Sequence, residues 1–203
     1  MAVASGATAI GLVAAMPSGP GPIPETIIRD VTRHVRAHHK DTEAFLLSSL
    51  TDAQTLAEQV NFCEPTTLQL VFEVDPDIHL ALAEMCPQVK RVQVVHVEDE
   101  RALAAIERYE ACADAFLLDS GRPNAKVMEL GGTGRTHDWA ISTEFVRQSP
   151  LPVYLAGGLK PENVAEALAT VQPYGVDLCS GVRTNNLLDP QKLAAFMQAR
   201  RSV

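Results

Sequence analysis

The stretch RVQVVHVEDERALAAIERYEACADAFLLDS, residues 91–120, decides the fold. It holds an apolar run rich in β-branched residues at 91–97, a helical segment at about 98–111, and a second apolar run at 114–120. Both runs are continuous rather than alternating, as expected when both faces of a strand are covered. The stretch therefore predicts two parallel strands joined by a helix.

The same order of strand and helix recurs along the chain and predicts seven units. The apolar runs that open the units lie at residues 9–14, 44–49, 67–72, 91–97, 114–120, 152–158 and 175–182. Helix starts are marked by capping residues, and we expect Thr51, Asp75-Pro76 and Asp189-Pro190 to begin three of the helices. Such alternation implies a parallel sheet with right-handed crossovers, which is either a barrel or a doubly wound sheet.

Polar residues and glycines at the ends of the predicted strands favour the barrel. They are Ser48-Ser49, Asp119, Gly157-Gly158 and Ser180-Gly181. In a (β/α)₈ barrel this rim carries the active site, and the loops after strands 7 and 8 often bind phosphate. The first strand–turn–helix lacks the G-x-G-x-x-G motif of dinucleotide-binding doubly wound sheets. We therefore predict an α/β fold of the TIM (β/α)₈ barrel type, with residues 1–203 in a single domain.

The number of units is seven rather than eight. Residues 1–7, MAVASGA, resemble the end of a helix that leads into the first visible strand. We therefore expect that strand 1 of the barrel and most of one helix are missing from this sequence.

The charge, the apolar segments and the cysteines of the sequence argue against several classes of binding partner and cellular location. The formal net charge of −8 argues against nucleic acid or an anionic membrane. No apolar stretch approaches the ~20 residues of a membrane span, and the N-terminus has no basic region typical of a signal peptide. The four cysteines form no C-x-x-C pair, which predicts reduced thiols in a cytoplasmic protein and no zinc site.

Two features carry candidate chemistry. Residues 119–139, DSGRPNAKVMELGGTGRTHDW, form a long stretch without periodicity that begins with a carboxylate at a strand end. Asp119 is a candidate general acid, or alternatively a cap for backbone amides of the loop. The glycines of LAGGLKPENV (155–164) and DLCSGV (177–182) predict a phosphate site, since glycine lets the backbone approach an anion and Pro161 places a helix N-terminus behind it.

Taken together, these motifs resemble the phosphoribosylanthranilate isomerase family. The resemblance is strong over residues 114–200 and weaker but continuous over 5–113. It is carried, in order along the chain, by LLDSG (117–121), GGTGRTHDW (131–139), LAGGLKPENVAEAL (155–168), PYGVDLCSGV (173–182) and LDPQKLAAF (188–196).

The resemblance implies a (β/α)₈ barrel that converts phosphoribosylanthranilate into carboxyphenylamino-deoxyribulose phosphate by an Amadori rearrangement, without a metal or an organic cofactor. It implies that Asp119 is the general acid that protonates the ribose ring oxygen and that Asp177 lies near the sugar. It places the following residues on the phosphate side: Gly132, Gly157, Gly158, Ser180 and Gly181. Arg135 is a candidate for a phosphate or carboxylate contact, or alternatively a solvated side chain. A homodimer is compatible with this assignment.

The sequence departs from the family pattern in three places. The family's base is a cysteine in a Lys-Ile-Cys-Gly motif at the end of strand 1, and this sequence starts after that point. The loop that carries an arginine for the anthranilate carboxylate reads MPSGPGPIP (16–24), and Gln69-Leu70-Val71 replaces Gln-Leu-His. His96 and Cys179 are candidate substitute bases, although a packing histidine and a buried thiol are the simpler interpretations.

Three functions remain open at this stage. The first is an isomerase of this family acting on phosphoribosylanthranilate. The second is a phosphosugar-binding protein that keeps the anion site without catalysis. The third is a barrel isomerase for a different amino-phosphosugar, suggested by the Pro/Gly-rich loop at 17–24.

Overall fold

The computed structural model describes residues 1–17, 21–121 and 138–201. The strands are β1 Ala9–Val13, β2 Glu43–Ser48, β3 Thr67–Leu70, β4 Lys90–His96, β5 Ala115–Asp119, β6 Val153–Leu155, β7 Gly175–Val176, β8 Arg183–Thr184 and β9 Leu187–Leu188. The helices are α1 Glu25–His38, α2 Ala53–Cys63, α3 Pro76–Met85, α4 Ala104–Tyr109, α5 Trp139–Gln148, α6 Val164–Val171 and α7 Pro190–Arg200.

Strands β1 to β7 form one parallel sheet whose spatial order is the order of the sequence. A doubly wound sheet would reverse its strand order at a switch point. The sequential order therefore confirms the barrel type and excludes the doubly wound alternative. Strands β8 and β9 form a separate antiparallel hairpin that the sequence did not predict.

The sheet is curled, as the contact between two distant strands demonstrates. Phe45 in β2 and Tyr154 in β6 are four strands apart, which corresponds to about 19 Å in a flat sheet at normal strand spacing. Their ring centroids lie 6.0 Å apart in an edge-to-face arrangement. The seven strands therefore form a barrel-like half-cylinder with these rings on its inner side.

Three apolar clusters hold the layers together. Two of them join strand residues to the helices, and examples are Phe116 against Phe145 and Leu46 with Ile28. The third consists of side chains from the strands and the segments that follow them, including Val92, Val94 and Leu117, and it fills the interior of the curled sheet. The two faces of each central strand are therefore both buried, as the continuous apolar runs predict.

Paired polar groups lie at the N-terminal end of the sheet. The Arg91 guanidinium donates to both carboxylate oxygens of Asp114, at 2.8 and 3.1 Å, and the backbone N–H of Arg91 donates to the same carboxylate. The Lys90 Nζ lies 2.9 Å from Glu43. These pairs satisfy polar groups at the base of the strands.

Several predicted boundaries are wrong. Asp52 rather than Thr51 caps α2, since its carboxylate accepts from the N–H of Thr55 at 2.9 Å. Helix α6 begins at Val164, so Pro161 opens the preceding turn instead of the helix. The run at 175–182 contributes only Gly175–Val176 to the sheet. Residues Val3–Ser5 form a 3₁₀ turn where the sequence resembled the end of a helix. The caps at Asp75 and Asp189 are confirmed.

Candidate active site

Asp119 is the last residue of β5 and is held by the sheet. Its carbonyl accepts from the N–H of Val97 at 2.9 Å, and its Oδ1 accepts from the N–H of Ser120 at 2.7 Å. The residue is only 9% exposed. Burial raises the pKa of Asp119 to about 6, although the Ser120 hydrogen bond opposes the shift. A carboxyl group with such a pKa can hold a proton near neutral pH and donate it, as a general acid must.

The Gly157-Gly158 turn follows β6 and lies against the end of β5. Both glycines have positive φ angles, +86° and +65°. A Cβ on Gly157 would lie 2.8 Å from the backbone nitrogen and the hydroxyl oxygen of Ser120. Glycine is therefore required here both for the backbone conformation and for the close approach of two strand ends.

Gly181 brings the loop after β7 onto the same turn. A Cβ at this position would lie 1.9 Å from the carbonyl oxygen of Leu159, so no side chain fits. Gly181 belongs to a 3₁₀ helix that begins at Ser180 and ends at Val182. The two predicted glycine motifs are thus in direct backbone contact, with Ser180 beside them.

Asn163 and Ser120 are polar residues of this region that sequence reasoning missed. The Asn163 side chain accepts from the N–H of Lys160 at 2.8 Å and donates to the carbonyl of Gly158 at 3.1 Å, which fixes the glycine turn. The position of Asn163 directly before a helical segment could have indicated its role from the sequence. Ser120 Oγ is buried and has no hydrogen-bond partner within the described residues, and no local pattern in the sequence marks it.

Asp177 directly follows β7, and its N–H donates to the carbonyl of Leu155 at 2.9 Å. Its side chain remains in contact with solvent. Partial removal from water, together with repulsion from Asp119, raises the pKa of Asp177 to about 6. The two carboxyl groups are therefore electrostatic neighbours at the same end of the sheet.

The remaining predicted residues differ in their placement. Ser49 Oγ donates to the carbonyl of Ala15 at 2.8 Å, and Ser48 Oγ accepts from Leu50 N–H. Both serine side chains therefore bind backbone groups of the protein. Gly132 and Arg135 lie outside the described residues. Among described His, Cys, Asp and Glu side chains, no group of three is arranged to hold a metal ion.

The two candidate substitute bases are poorly suited to that role. His96 ends β4, and its Nε2 lies 2.9 Å from the carbonyl of Val71, which requires the proton on Nε2. Burial lowers the pKa of His96, and its Nδ1 is buried without a partner in the described part of the chain. Burial also raises the pKa of the Cys179 thiol, so little thiolate forms at neutral pH.

No helix in the described segments combines the length and the apolar composition needed to cross a bilayer. The fold and the geometry of the rim define a class: a (β/α)-barrel protein with a buried carboxyl group and two closely packed glycine turns at the carboxyl ends of its strands.

Comparison with known proteins identifies the family within this class. The model of the N-(5′-phosphoribosyl)anthranilate isomerase family matches residues 51–199. The chain is 33% identical over 209 residues to N-(5′-phosphoribosyl)anthranilate isomerase 2 of Methanosarcina mazei, covering 100% of this chain and 88% of the relative. The chain belongs to the phosphoribosylanthranilate isomerase family.

Solved structures agree with this assignment. The phosphoribosyl anthranilate isomerase of Thermus thermophilus superposes with a TM-score of 0.81 at 25% identity, covering 99% of this chain and 91% of that one. A Thermotoga maritima structure, described as monomers generated from a dimeric phosphoribosylanthranilate isomerase, gives 0.77 at 20% identity, covering 100% and 91%. The latter supports the fold alone.

Proposed function

We propose that the chain catalyses the isomerisation of N-(5′-phosphoribosyl)anthranilate to carboxyphenylamino-deoxyribulose 5-phosphate. The observation that carries the proposal is the convergence of Asp119, the Gly157-Gly158 turn and Gly181 at one end of the sheet. Membership of the isomerase family supports the same reaction.

The phosphate group is bound by the two glycine turns. Backbone N–H groups in the turns at 157–158 and 180–181 bind an anion without requiring a positive side chain, which suits a protein with a net charge of −8. Ser180 adds a hydroxyl at the same place. The phosphate-side contacts predicted for Gly132 and Arg135 remain part of the proposal.

Asp119 is the general acid of the proposed reaction. With the phosphate held in the glycine turns, the ribose ring lies over the rim, and the protonated carboxyl of Asp119 donates to the ring oxygen as the C1–O bond breaks. Positioning the substrate by a remote phosphate reduces the entropic cost of bringing acid and ring oxygen together. A pKa near 6 keeps this proton available at mildly acidic to neutral pH.

Turnover of freshly prepared phosphoribosylanthranilate by the purified chain tests the proposal. We expect product formation that Asp119→Asn abolishes while inorganic phosphate still binds. Phosphate binding without turnover by the unmodified chain would contradict the proposal and favour a non-catalytic phosphosugar-binding protein. Equal turnover of an amino-phosphosugar without the anthranilate group would favour the third function.

The proposal includes three further statements about the chain. Residues 1–203 form a single barrel domain, the protein is cytoplasmic, and its partner is a small-molecule substrate. All four cysteines are free thiols, which supports a reducing compartment. A homodimer is supported by the description of the Thermotoga maritima relative as dimeric. Light scattering of the purified chain at several concentrations would measure the oligomeric state, and a constant monomer mass would exclude the dimer.

A further inference from the structure

The hairpin of β8 and β9, which follows the loop after β7, gives the side chain of Arg183 a rigid support. The two strands pair in antiparallel fashion, and Arg183 is the first residue of β8. Both residues of the turn, Asn185 and Asn186, have positive φ angles, 51° and 63°. A two-residue turn of type I′ requires such angles at both positions. The hairpin is therefore tight, and it fixes the position from which the Arg183 side chain extends.

Three hydrogen bonds hold Arg183 and the hairpin in place. The Lys192 Nζ donates to the carbonyl of Arg183 at 2.9 Å, and Thr184 Oγ1 donates to the carboxylate of Asp189 at 2.7 Å. In the guanidinium itself, Nη1 donates to the carbonyl of Asn186 at 3.1 Å. The backbone and the tip of a long side chain are both anchored, so less rotamer freedom is lost when the guanidinium binds a ligand.

The second amino group of the guanidinium faces the loop after β1. Nη2 of Arg183 lies 3.9 Å from the position that a Cβ on Gly21 would take. Gly21 is exposed and has a φ of 95°, in the region that favours glycine. Arg183 is partly buried. The guanidinium therefore lies at the rim between the segments that follow β7 and β1, with a glycine rather than a larger side chain against it.

The strand order separates this guanidinium from the proposed phosphate site. The glycine turns proposed for the phosphate follow β6 and β7, which are neighbours in the sheet. The Arg183 side chain extends from the second of these turns towards the loop after β1, away from β6. Burial raises the pKa of the Cys179 thiol, and the nearby positive charge of Arg183 opposes the shift. The guanidinium is therefore a neighbour of the phosphate site on the side opposite the Gly157-Gly158 turn.

The substrate of the proposed reaction has an anionic group at each end. Its phosphate is on C5 of the sugar, and its carboxylate is on the aromatic ring that nitrogen joins to C1. Backbone N–H groups of glycine turns suit the phosphate, whereas a planar guanidinium binds a carboxylate through two parallel N–H···O bonds. The chain has a net charge of −8, so a fixed cation at the aromatic end offsets the general repulsion of that carboxylate.

We infer that Arg183 binds the carboxylate of the anthranilate ring and makes the site selective for a substrate that carries this group. The inference rests on the proposed function and deepens it. With the phosphate in the glycine turns and the carboxylate on the guanidinium, the substrate is held at both ends. Rotation about the bond between C1 and nitrogen is then restricted, which orients the ribose ring that lies between the two contacts. Arg183 binds and orients the substrate, and it does not exchange a proton with it.

Calorimetric titration of two ligands tests the contact without relying on turnover. One ligand is the product analogue whose ketone is reduced, and the other has hydrogen in place of the ring carboxylate. We expect Arg183→Gln to weaken the carboxylate ligand about 50-fold, because a charged hydrogen-bonded pair is lost. The carboxylate-free ligand and inorganic phosphate should weaken less than about threefold. Arg183→Lys keeps the charge without the planar fork and should recover part of the affinity. The control Arg147→Gln, which removes an exposed arginine paired with Glu144, should change no affinity.

The outcomes separate this inference from the proposed function. Unchanged affinity for the carboxylate ligand in Arg183→Gln overturns the inference. Equal weakening of both ligands, or of phosphate, also overturns it, and Arg183→Lys decides the matter if the urea midpoint of Arg183→Gln is lowered. In an active chain, Arg183→Gln should raise KM about 50-fold and leave kcat within about threefold, since binding is lost and chemistry is not. A chain that prefers the carboxylate ligand through Arg183 but never converts phosphoribosylanthranilate contradicts the proposed function alone.

Discussion

Asp114 and Asp119 lie five residues apart, one directly before β5 and the other at its last position, and their environments differ sharply. Burial disfavours ionisation of Asp114, but hydrogen bonds and charge from Arg91 outweigh it and hold its pKa below the ordinary value. At Asp119 burial acts without such a cation in the described residues and raises the pKa to about 6. The comparison shows that one strand carries an ion-paired carboxylate at its base and a buried carboxyl group with a raised pKa at its rim.

Replacing each aspartate by asparagine, at the two ends of β5, should give the largest difference in activity between two variants. Asp119→Asn is expected to lower kcat/KM for phosphoribosylanthranilate by about 10³-fold, because the neutral amide donates no proton to the ring oxygen. Asp114→Asn is expected to change kcat/KM by less than about threefold. Steady-state kinetics measure both, and a comparable loss in the two variants would contradict the division between rim and base.

Backbone contact at the rim gives the next largest effect. Gly181→Ala is expected to lower the free energy of unfolding by about 3 kcal/mol, because its Cβ would lie 1.9 Å from the carbonyl oxygen of Leu159 and the backbone must shift. Phosphate binding should weaken as the two turns separate. Chemical denaturation and calorimetric phosphate titration measure the two effects.

Gly11→Ala is the matched control for Gly181→Ala. Among the described residues, a Cβ at Gly11 would meet only the flexible end of Leu47, at 3.3 Å. Its φ is not in the left-handed region, so we expect a change below about 1 kcal/mol. Equal destabilisation by the two alanines would show that the close contact at Gly181 is not the cause.

The third effect is a gain of stability at the rim. The raised pKa of Asp119 means that the folded state binds its proton more tightly than the unfolded state, whose pKa is 3.8. Its contribution to stability is therefore present below about pH 4 and is lost as pH rises to about 6. The asparagine in Asp119→Asn does not ionise, so the fold does not lose this stability as pH rises. The variant should therefore have a free energy of unfolding up to about 3 kcal/mol higher above pH 6. Urea denaturation at pH 4 and pH 7.5 measures the difference, which should be much smaller at pH 4.

The smallest expected effect is a loss of stability at the base of β5, opposite in sign to the gain expected at the rim. Asp114→Asn should destabilise the fold at neutral pH by about 1–2 kcal/mol, since it leaves the largely buried Arg91 without its carboxylate, while the solvent exposure of Asp114 limits the loss. Its depressed pKa places this stability above pH 4, and it is lost as pH falls below that value. Denaturation series that gave the two asparagine variants the same sign at neutral pH would refute the comparison.

Local chemistry made much of the fold predictable. The continuous apolar runs located all seven strands of the sheet, and the caps at Asp75 and Asp189 were predicted because a side chain and the nearest N–H groups suffice to form them. The placement of Asp119 at a strand end followed from the same pattern.

What the sequence left unresolved depends on contacts between distant segments. The run at 175–182 leaves the sheet after Val176, and Gly181 then packs against the backbone of Leu159, a contact that no local pattern encodes. The relation between Asp119 and Asp177 requires the register of three strands. A polar residue at a strand end can be read from sequence, but its electrostatic partner cannot.

The sequential strand order has a consequence for synthesis on the ribosome. The seven strands begin at residues 9, 43, 67, 90, 115, 153 and 175, so each new strand finds its neighbour 22–38 residues back in the chain. Every strand pairing in the described sheet can therefore form as soon as the next unit emerges, without waiting for a distant segment. Local connectivity of this kind favours fast assembly and short exposure of unpaired edges to other nascent chains.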